Sequence, residues 1–325
     1  MTDKTQMLRD SMLTEEQNQA LMKEAILRSG YLLERSVANL LGESGYKAVT
    51  NRGFIDPQNN TSCEYDVYAC KKIRVYRTGS HEIYPTLVCE CKNYTQPIVF
   101  FVKEKKTFEP LQDEVRVSGI PSKIWQRDKY VSVQEFTDVE SFHHYCKPEV
   151  PIATQCCTIE IKKDRSSWKA NYSDELYKIF RKLTKALEYE IDEDFKNMGQ
   201  WFVAEETRGF TDLSFYYPVV IFPGDIYAAY IKDNDLTFKK CEHVQFNPEL
   251  FSSHDNEVIS YHIDVISEKY LPSYLRMIDR EMITIKKMLQ RRKQKVLLSV
   301  SKIVEECKEQ KKKSESYRRY LEFEF

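Results

Sequence analysis

Three stretches decide how this chain is read: GYLLERSVANLLGESGYKAV (30–49), CEYDVYA (63–69) and LVCECKN (87–93). Leu27, Tyr31, Ala38 and Leu41 recur at helical spacing, so residues 15–42 are expected to form one helix, stopped by Gly42 and Gly45. YKAVTNRGF (46–54) reads as a strand and IDPQNNTS (55–62) as turn chemistry. CEYDVYACKKIRVY (63–76) reads as a second strand and IYPTLVCECKN (83–93) as a third. Pro85 has no N–H to give to a ladder, so the start of the third strand is expected near an edge or outside the pairing.

Charged residues stand at unusual places in this order. Glu34 lies on the otherwise apolar helix stripe. Glu64 and Asp66 share one face of the second strand, and Glu90 and Lys92 share one face of the third, because side chains two apart point the same way. A carboxylate on so apolar an element pairs, shifts its pKa or binds a metal. Facing carboxylates repel unless a cation stands between them, and Mg²⁺ takes oxygen ligands, waters and substrate phosphate oxygens. A lysine beside them orients or deprotonates a water and stabilises developing negative charge. These parts suit metal-assisted phosphodiester hydrolysis. The bland alternatives are a cross-strand salt-bridge set for Asp66, Glu90 and Lys92, and an edge-of-stripe residue for Glu34.

An acid-x-lysine pair alone is common in a chain with 50 acids and 49 bases. Glu104–Lys106, Glu160–Lys162, Asp194–Lys196, Glu306–Lys308 and Glu309–Lys311 match it as well. Glu160–Lys162 is the serious competitor, since TIEIK is also strand-like, but no acidic hairpin strand precedes it.

On the three quoted stretches, residues 20–170 resemble the PD-(D/E)xK nuclease superfamily, in particular its restriction-endonuclease-like branch of Mrr-type and Holliday-junction-resolvase-type nucleases. The resemblance implies an α/β fold: a restriction-endonuclease-like core with a mixed central sheet flanked by helices. It implies that Glu34 is the acid of the first helix, Asp66 the strand acid, and Glu90 and Lys92 the E-x-K pair, with Glu64 giving the E-x-D variant. The Pro-Asp dipeptide of the motif is absent, since Tyr65 precedes Asp66. By the same resemblance Asp66, Glu90 and the Cys91 carbonyl would hold Mg²⁺, with Mn²⁺ as the other candidate ion. Lys92 would position the attacking water, and Glu34 would complete the site. Gln155 would touch water or substrate, although a satisfied strand glutamine is the commoner use. The implied activity is that of a DNA endonuclease, with RNA left open and a role in bacterial antiviral defence. A non-catalytic nucleic-acid-binding or assembly protein on the same fold is the alternative.

Outward from the motif, Lys71, Lys72, Arg74, Arg77, Lys103, Lys105 and Lys106 flank the candidate site and would form a phosphate-tracking groove if they share a face. Ordinary solvation is the competing use. IVFFV (98–102) reads equally as a strand or a helix turn. TDVESFHHYC (137–146) is expected to be helical, capped by Thr137 with Glu140 completing a capping box. His143 and His144 would then point to different faces and serve no common site. PIATQCCTIEIKK (151–163) reads as a strand and YSDELYKIFRKLTKALEYEI (172–191) as an amphipathic helix begun by Ser173. The character changes near 192. The expected division is therefore a nuclease-like domain over 1–191 and an α+β substrate-positioning and oligomerisation domain over 192–325, ending in a long helix over 272–313. That helix carries more apolar surface than a small domain needs, which points to a homodimer.

Composition narrows the function classes. Hydrophobic residues make up 42% of the 325, enough for a packed core, and the net charge of −1 argues against a broad electrostatic binder. Glycine-rich phosphate loops are missing from the sequence, and so are GxSxG and HExxH. The nine cysteines lack zinc spacing and are read as small hydrophobes. No apolar run is long enough for a membrane helix, and the polar N-terminus has no signal-peptide core, so a cytoplasmic protein without membrane contact is expected.

Overall fold

The computed structural model describes residues 14–323 apart from 57, 104–114, 148–150, 163, 165, 173, 204–209, 234 and 253–257. The single helix expected at 15–42 is two: α1 (Glu15–Arg28) and α2 (Tyr31–Glu43). Thr14 caps α1 in a reciprocal box with Gln17. Ser29 ends it in extended conformation, with its hydroxyl donating to the Ile26 carbonyl. The interruption resets the helical phase. Leu27 and Tyr31 are therefore exposed, and Leu33, Val37 and Leu41 form the buried stripe.

Strands β1 (Lys47–Asp56) and β2 (Thr61–Cys70) form an antiparallel hairpin, followed by β3 (Ile73–Arg74) and β4 (His81–Cys91). Pro85 lies inside the sheet, against the edge placement expected for it. Its carbonyl accepts from the Lys71 N–H, so its missing donor faces the gap between β2 and β3, where no ladder bond is lost. Residues 98–103 are a strand, β5 (Ile98–Lys103), and then come β6 (Val117–Ile120), β7 (Lys123–Gln126) and β8 (Lys129–Ser132). The helix expected over 137–146 is absent. Ser132 caps the single turn α3 (Val133–Phe136), Thr137 ends that turn, and Asp138 at φ 54° in the left-handed region blocks continuation. Two one-turn 3-10 segments follow, at Val139–Ser141 and His144–Cys146.

The chain continues through β9 (Ile152–Ile161), β10 (Trp168–Asn171) and the long helix α4 (Asp174–Val203). Ser173, the expected cap, lies outside the described residues. Next come β11 (Thr211–Phe222), β12 (Ile226–Lys232), β13 (Asp235–Cys241), β14 (His243–Phe246), β15 (Glu249–Phe251), β16 (Val258–Ser260) and β17 (Ile263–Ser267). Two helices close the chain, α5 (Leu271–Arg291) and α6 (Lys293–Phe323), so the expected continuous helix is divided at Arg292.

One mixed sheet runs β1-β2-β4-β11-β17-β14-β9-β5-β12-β13. Its β4 and β11 are parallel neighbours from His81–Thr211 to Cys91–Ile221. The expected boundary near 192 therefore falls inside α4, and strands from both sides of it share this sheet. Helices cover both faces. Leu33, Val37 and Leu41 of α2 and Tyr274, Ile278, Met282, Ile285 and Leu289 of α5 pack under Leu87, Cys89 and Cys91 of β4. On the other face, Leu176, Ile179, Phe180, Leu183 and Leu187 of α4 pack with Tyr65 and Val88. The apolar stripe of α5 is thus packed within its own chain.

Candidate metal centre where β2 and β4 diverge

β2 and β4 are paired from Cys70–Thr86 to Val67–Cys89, and there the ladder stops. At the next step the Asp66 carboxylate enters the gap and its Oδ2 accepts the Cys91 N–H at 2.7 Å. A strand residue projects its C=O to the same side as its N–H, so the Cys91 carbonyl opens toward the same gap. Its thiol is packed in the opposite core, where burial pushes the thiol pKa well up, and behaves as a hydrophobe.

Glu90 follows Cys89 on β4 and points to the face covered by α4; it is fully buried. Lys92 bridges the two acids, with Nζ 3.0 Å from Asp66 Oδ2 and 2.8 Å from Glu90 Oε2. A second bridge comes from α4: Lys182 Nζ lies 2.5 Å from Glu90 Oε1 and 3.8 Å from Asp66 Oδ1. Among the described residues, these ammonium groups are all that the Glu90 carboxylate has, because no neutral N–H or O–H meets it.

Glu34 reaches this place from the first turn of α2. A methyl group on Gly30 would meet Glu34 Oε1 at 3.2 Å and the Cys91 carbonyl oxygen at 3.8 Å, so both oxygens border one small space kept open by glycine. The electrostatics agree. Burial first, then the Asp66 charge, hold the Glu34 carboxyl above its ordinary pKa, with Lys92 and Lys182 opposing. Burial and Asp66 likewise raise Glu90. For Lys92 burial works downward, but Glu90 and Asp66 outweigh it and hold the ammonium above its ordinary range.

The remaining sequence candidates divide. Glu64 is exposed and near enough to Glu34 to raise its pKa. Lys71 instead pairs with Asp279 at 2.8 Å over the Tyr46 ring, and Lys72 pairs with Glu82 at 3.2 Å. Neither contacts the carboxylates of the centre. Gln155 stands on β9, four places along the sheet from β4, and lines a separate pocket with Tyr172, Tyr177 and Phe246. Arg74, Arg77 and Lys103 are exposed, and Lys105 and Lys106 lie outside the described residues.

Lys182 is the residue that sequence reasoning missed. The signal was present, since it interrupts the stripe Ile179, Leu183 and Ala186 much as Glu34 interrupts that of α2. A second missed feature is a buried charge network. His143 and His144, expected on different faces of a helix, stack at 4.7 Å between ring centroids. His144 Nδ1 lies 2.8 Å from Glu281 Oε1, and its Nε2 lies 3.0 Å from Asp264 Oδ2. His243, Tyr145 and Tyr274 also bond Asp264. Although burial opposes it, the two carboxylates raise the His144 pKa to about 10, whereas burial lowers that of His143 to about 4. The network ties the 3-10 segment, β14, β17 and α5 together.

No protein-family model matches the chain, and comparison with curated proteins and with solved structures gives no match either. Among the described residues, no helix is long and apolar enough to cross a membrane.

Proposed function

We propose that the chain is a divalent-metal-dependent endonuclease of restriction-endonuclease-like fold that hydrolyses DNA phosphodiester bonds. The observation that carries this reading is the buried Glu90 carboxylate, which shares two ammonium groups with Asp66 and has no neutral donor. A full charge so buried is costly unless a cation compensates it. Two carboxylates, the Cys91 carbonyl and Glu34 make an all-oxygen donor set, which suits Mg²⁺ or Mn²⁺. Asp66, Glu90 and the Cys91 carbonyl would hold the ion, which when bound supplies charge stabilisation at the phosphoryl group.

The chain's own residues define the rest. Asp66 is fixed by the Cys91 N–H, so its free edge cannot rotate out of the gap. Lys92 stays protonated beside the acids, which makes it a donor that orients water and meets negative charge on phosphate oxygens. Glu34 borders the open side of the gap and completes the acidic rim.

One observation favours the rival reading of a non-catalytic nucleic-acid-binding or assembly protein: the two lysines already neutralise both carboxylates. A plasmid-nicking assay with Mg²⁺ separates the two readings. Cleavage by the wild type that is lost in Lys92→Ala supports the nuclease; a folded wild type inactive on DNA and RNA supports the rival. A homodimer belongs to the proposal, because paired sites address both strands of a duplex. The apolar residues Leu21, Met22, Ile26 and Leu27, exposed on α1, support it. Sedimentation of the full chain as a strict monomer at micromolar concentration removes that part.

A further inference from the structure

The Asp66–Glu90 pair is bridged twice, and the two bridges differ in origin. Lys92 uses Oδ2 and Oε2 and directly follows the strand that carries Glu90. Lys182 uses Oδ1 and Oε1 and descends from α4, with about a third of its side chain exposed. Lys92 is anchored two residues from Glu90, with 28% of its side chain exposed. Lys182 hangs on a flexible four-carbon stem and has an open route to solvent.

The position between Oδ1 and Oε1 that Lys182 fills lies against both acids that would hold a dication. An ammonium and a divalent ion cannot occupy it together, since like charges at contact repel strongly in a buried setting. Formal charge states the competition. Asp66, Glu90 and Glu34 against Lys92 and Lys182 leave −1, and without Lys182 the same groups leave −2.

We propose that Lys182 is a resident counter-cation of this centre, which holds the Asp66–Glu90 bridge in the metal-free protein and surrenders it when a divalent cation binds. The inference rests on the metal-dependent reading above and adds to it that this chain sets its own metal threshold through a helix distant in sequence. It also accounts for the neutralised carboxylates that favour the rival reading.

The test uses full-length protein and Mn²⁺, with free ion followed by its paramagnetic resonance signal. Lys182→Met keeps the apolar stem on α4 and removes the charge; Lys182→Arg keeps the charge. Lys182→Met is expected to bind Mn²⁺ at least tenfold more tightly than wild type, and Lys182→Arg no more tightly. Mass-mapped acetylation of wild type provides a second readout that needs no variant: Lys182 is expected to be protected without Mn²⁺ and to become reactive at saturation. Equal or weaker binding by a folded Lys182→Met, or unchanged protection of Lys182, overturns the inference. If wild type binds Mn²⁺ and Asp66→Asn does not, the metal reading survives that loss. If neither wild type nor Lys182→Met binds Mn²⁺, both fall together.

Discussion

The Asp66 carboxylate and the backbone N–H of Cys91 meet at 2.7 Å, at the point where β2 and β4 cease to pair. A side chain here replaces a ladder bond. The replacement fixes an acid in a cleft between strands and satisfies a buried donor that would otherwise be orphaned. Every other part of the candidate centre is arranged around that gap.

Gly30 keeps the space beside Glu34 and Cys91 open. Its φ of −73° suits any residue, so Gly30→Ala is expected to fold, the entropic gain of about 0.4–1 kcal/mol being offset by the tight contact of the new methyl. The added methyl presses on Glu34 Oε1, so Mn²⁺ affinity and nicking are expected to fall together. Thermal melts and a nicking assay on the same preparation check this; unchanged nicking would falsify the placement of Glu34 in the site.

Glu190 clamps α4 to the hairpin. It takes two hydrogen bonds from Arg52, at 3.0 and 3.1 Å, and one from the buried Tyr65 hydroxyl at 2.8 Å. Glu190→Ala leaves both donors without that partner and is expected to cost roughly 1–3 kcal/mol. Glu190→Gln, which retains an acceptor, is expected to lose less. Urea titration of the two variants gives the comparison, and equal midpoints would show that the clamp is not a hydrogen-bonded one.

Residues 1–191 are expected not to fold alone. Without β11, strand β4 loses its parallel partner along its whole length, and the face under α5 loses its cover. Limited proteolysis and near-ultraviolet dichroism of this fragment are the measurements. A cooperative melt near the wild-type temperature is the outcome that contradicts the prediction.

The buried network predicts how stability depends on pH. The folded protein holds the His144 pKa at about 10, above its ordinary 6.5, so its stabilisation is complete below 6.5 and is lost as pH rises toward 10. His143, lowered to about 4, acts in the opposite window, losing stability as pH falls from 6.5 through 4. Asp264, Glu281, His243, Tyr145, Tyr217 and Tyr274 face these rings and share the charge. His144→Gln breaks a buried ion pair and is expected to cost about 3–5 kcal/mol near neutral pH. Its melting temperature should also lack the decline above pH 6.5; a decline as steep as in wild type assigns that limb to other groups.

Much of the centre was legible in the sequence because it is built from short-range patterns. The alternation in CEYDVYA and LVCECKN set Asp66, Glu90 and Lys92 among apolar neighbours, and the helical spacing around Glu34 marked it as out of place. Side-chain period follows from local backbone geometry, so a few residues suffice to read it. The mistaken helices had a local cause as well. Ser29 and Asp138 stop α1 and α3 through single backbone conformations that an apolar pattern does not register.

Tertiary structure alone decided the rest, because the deciding contacts join residues far apart in the chain. Lys182 reaches Glu90 from a helix that begins after six further strands have been laid down, the short β10 last. The β4–β11 pairing makes the halves on either side of residue 192 into one sheet. His144, His243, Asp264 and Glu281 come from four separate elements, and burial is what selects their partners. Composition and period show that such charges need compensation; only the folded chain shows which opposite charge arrives, since a buried ion accepts whichever partner the packing of distant elements brings within contact distance.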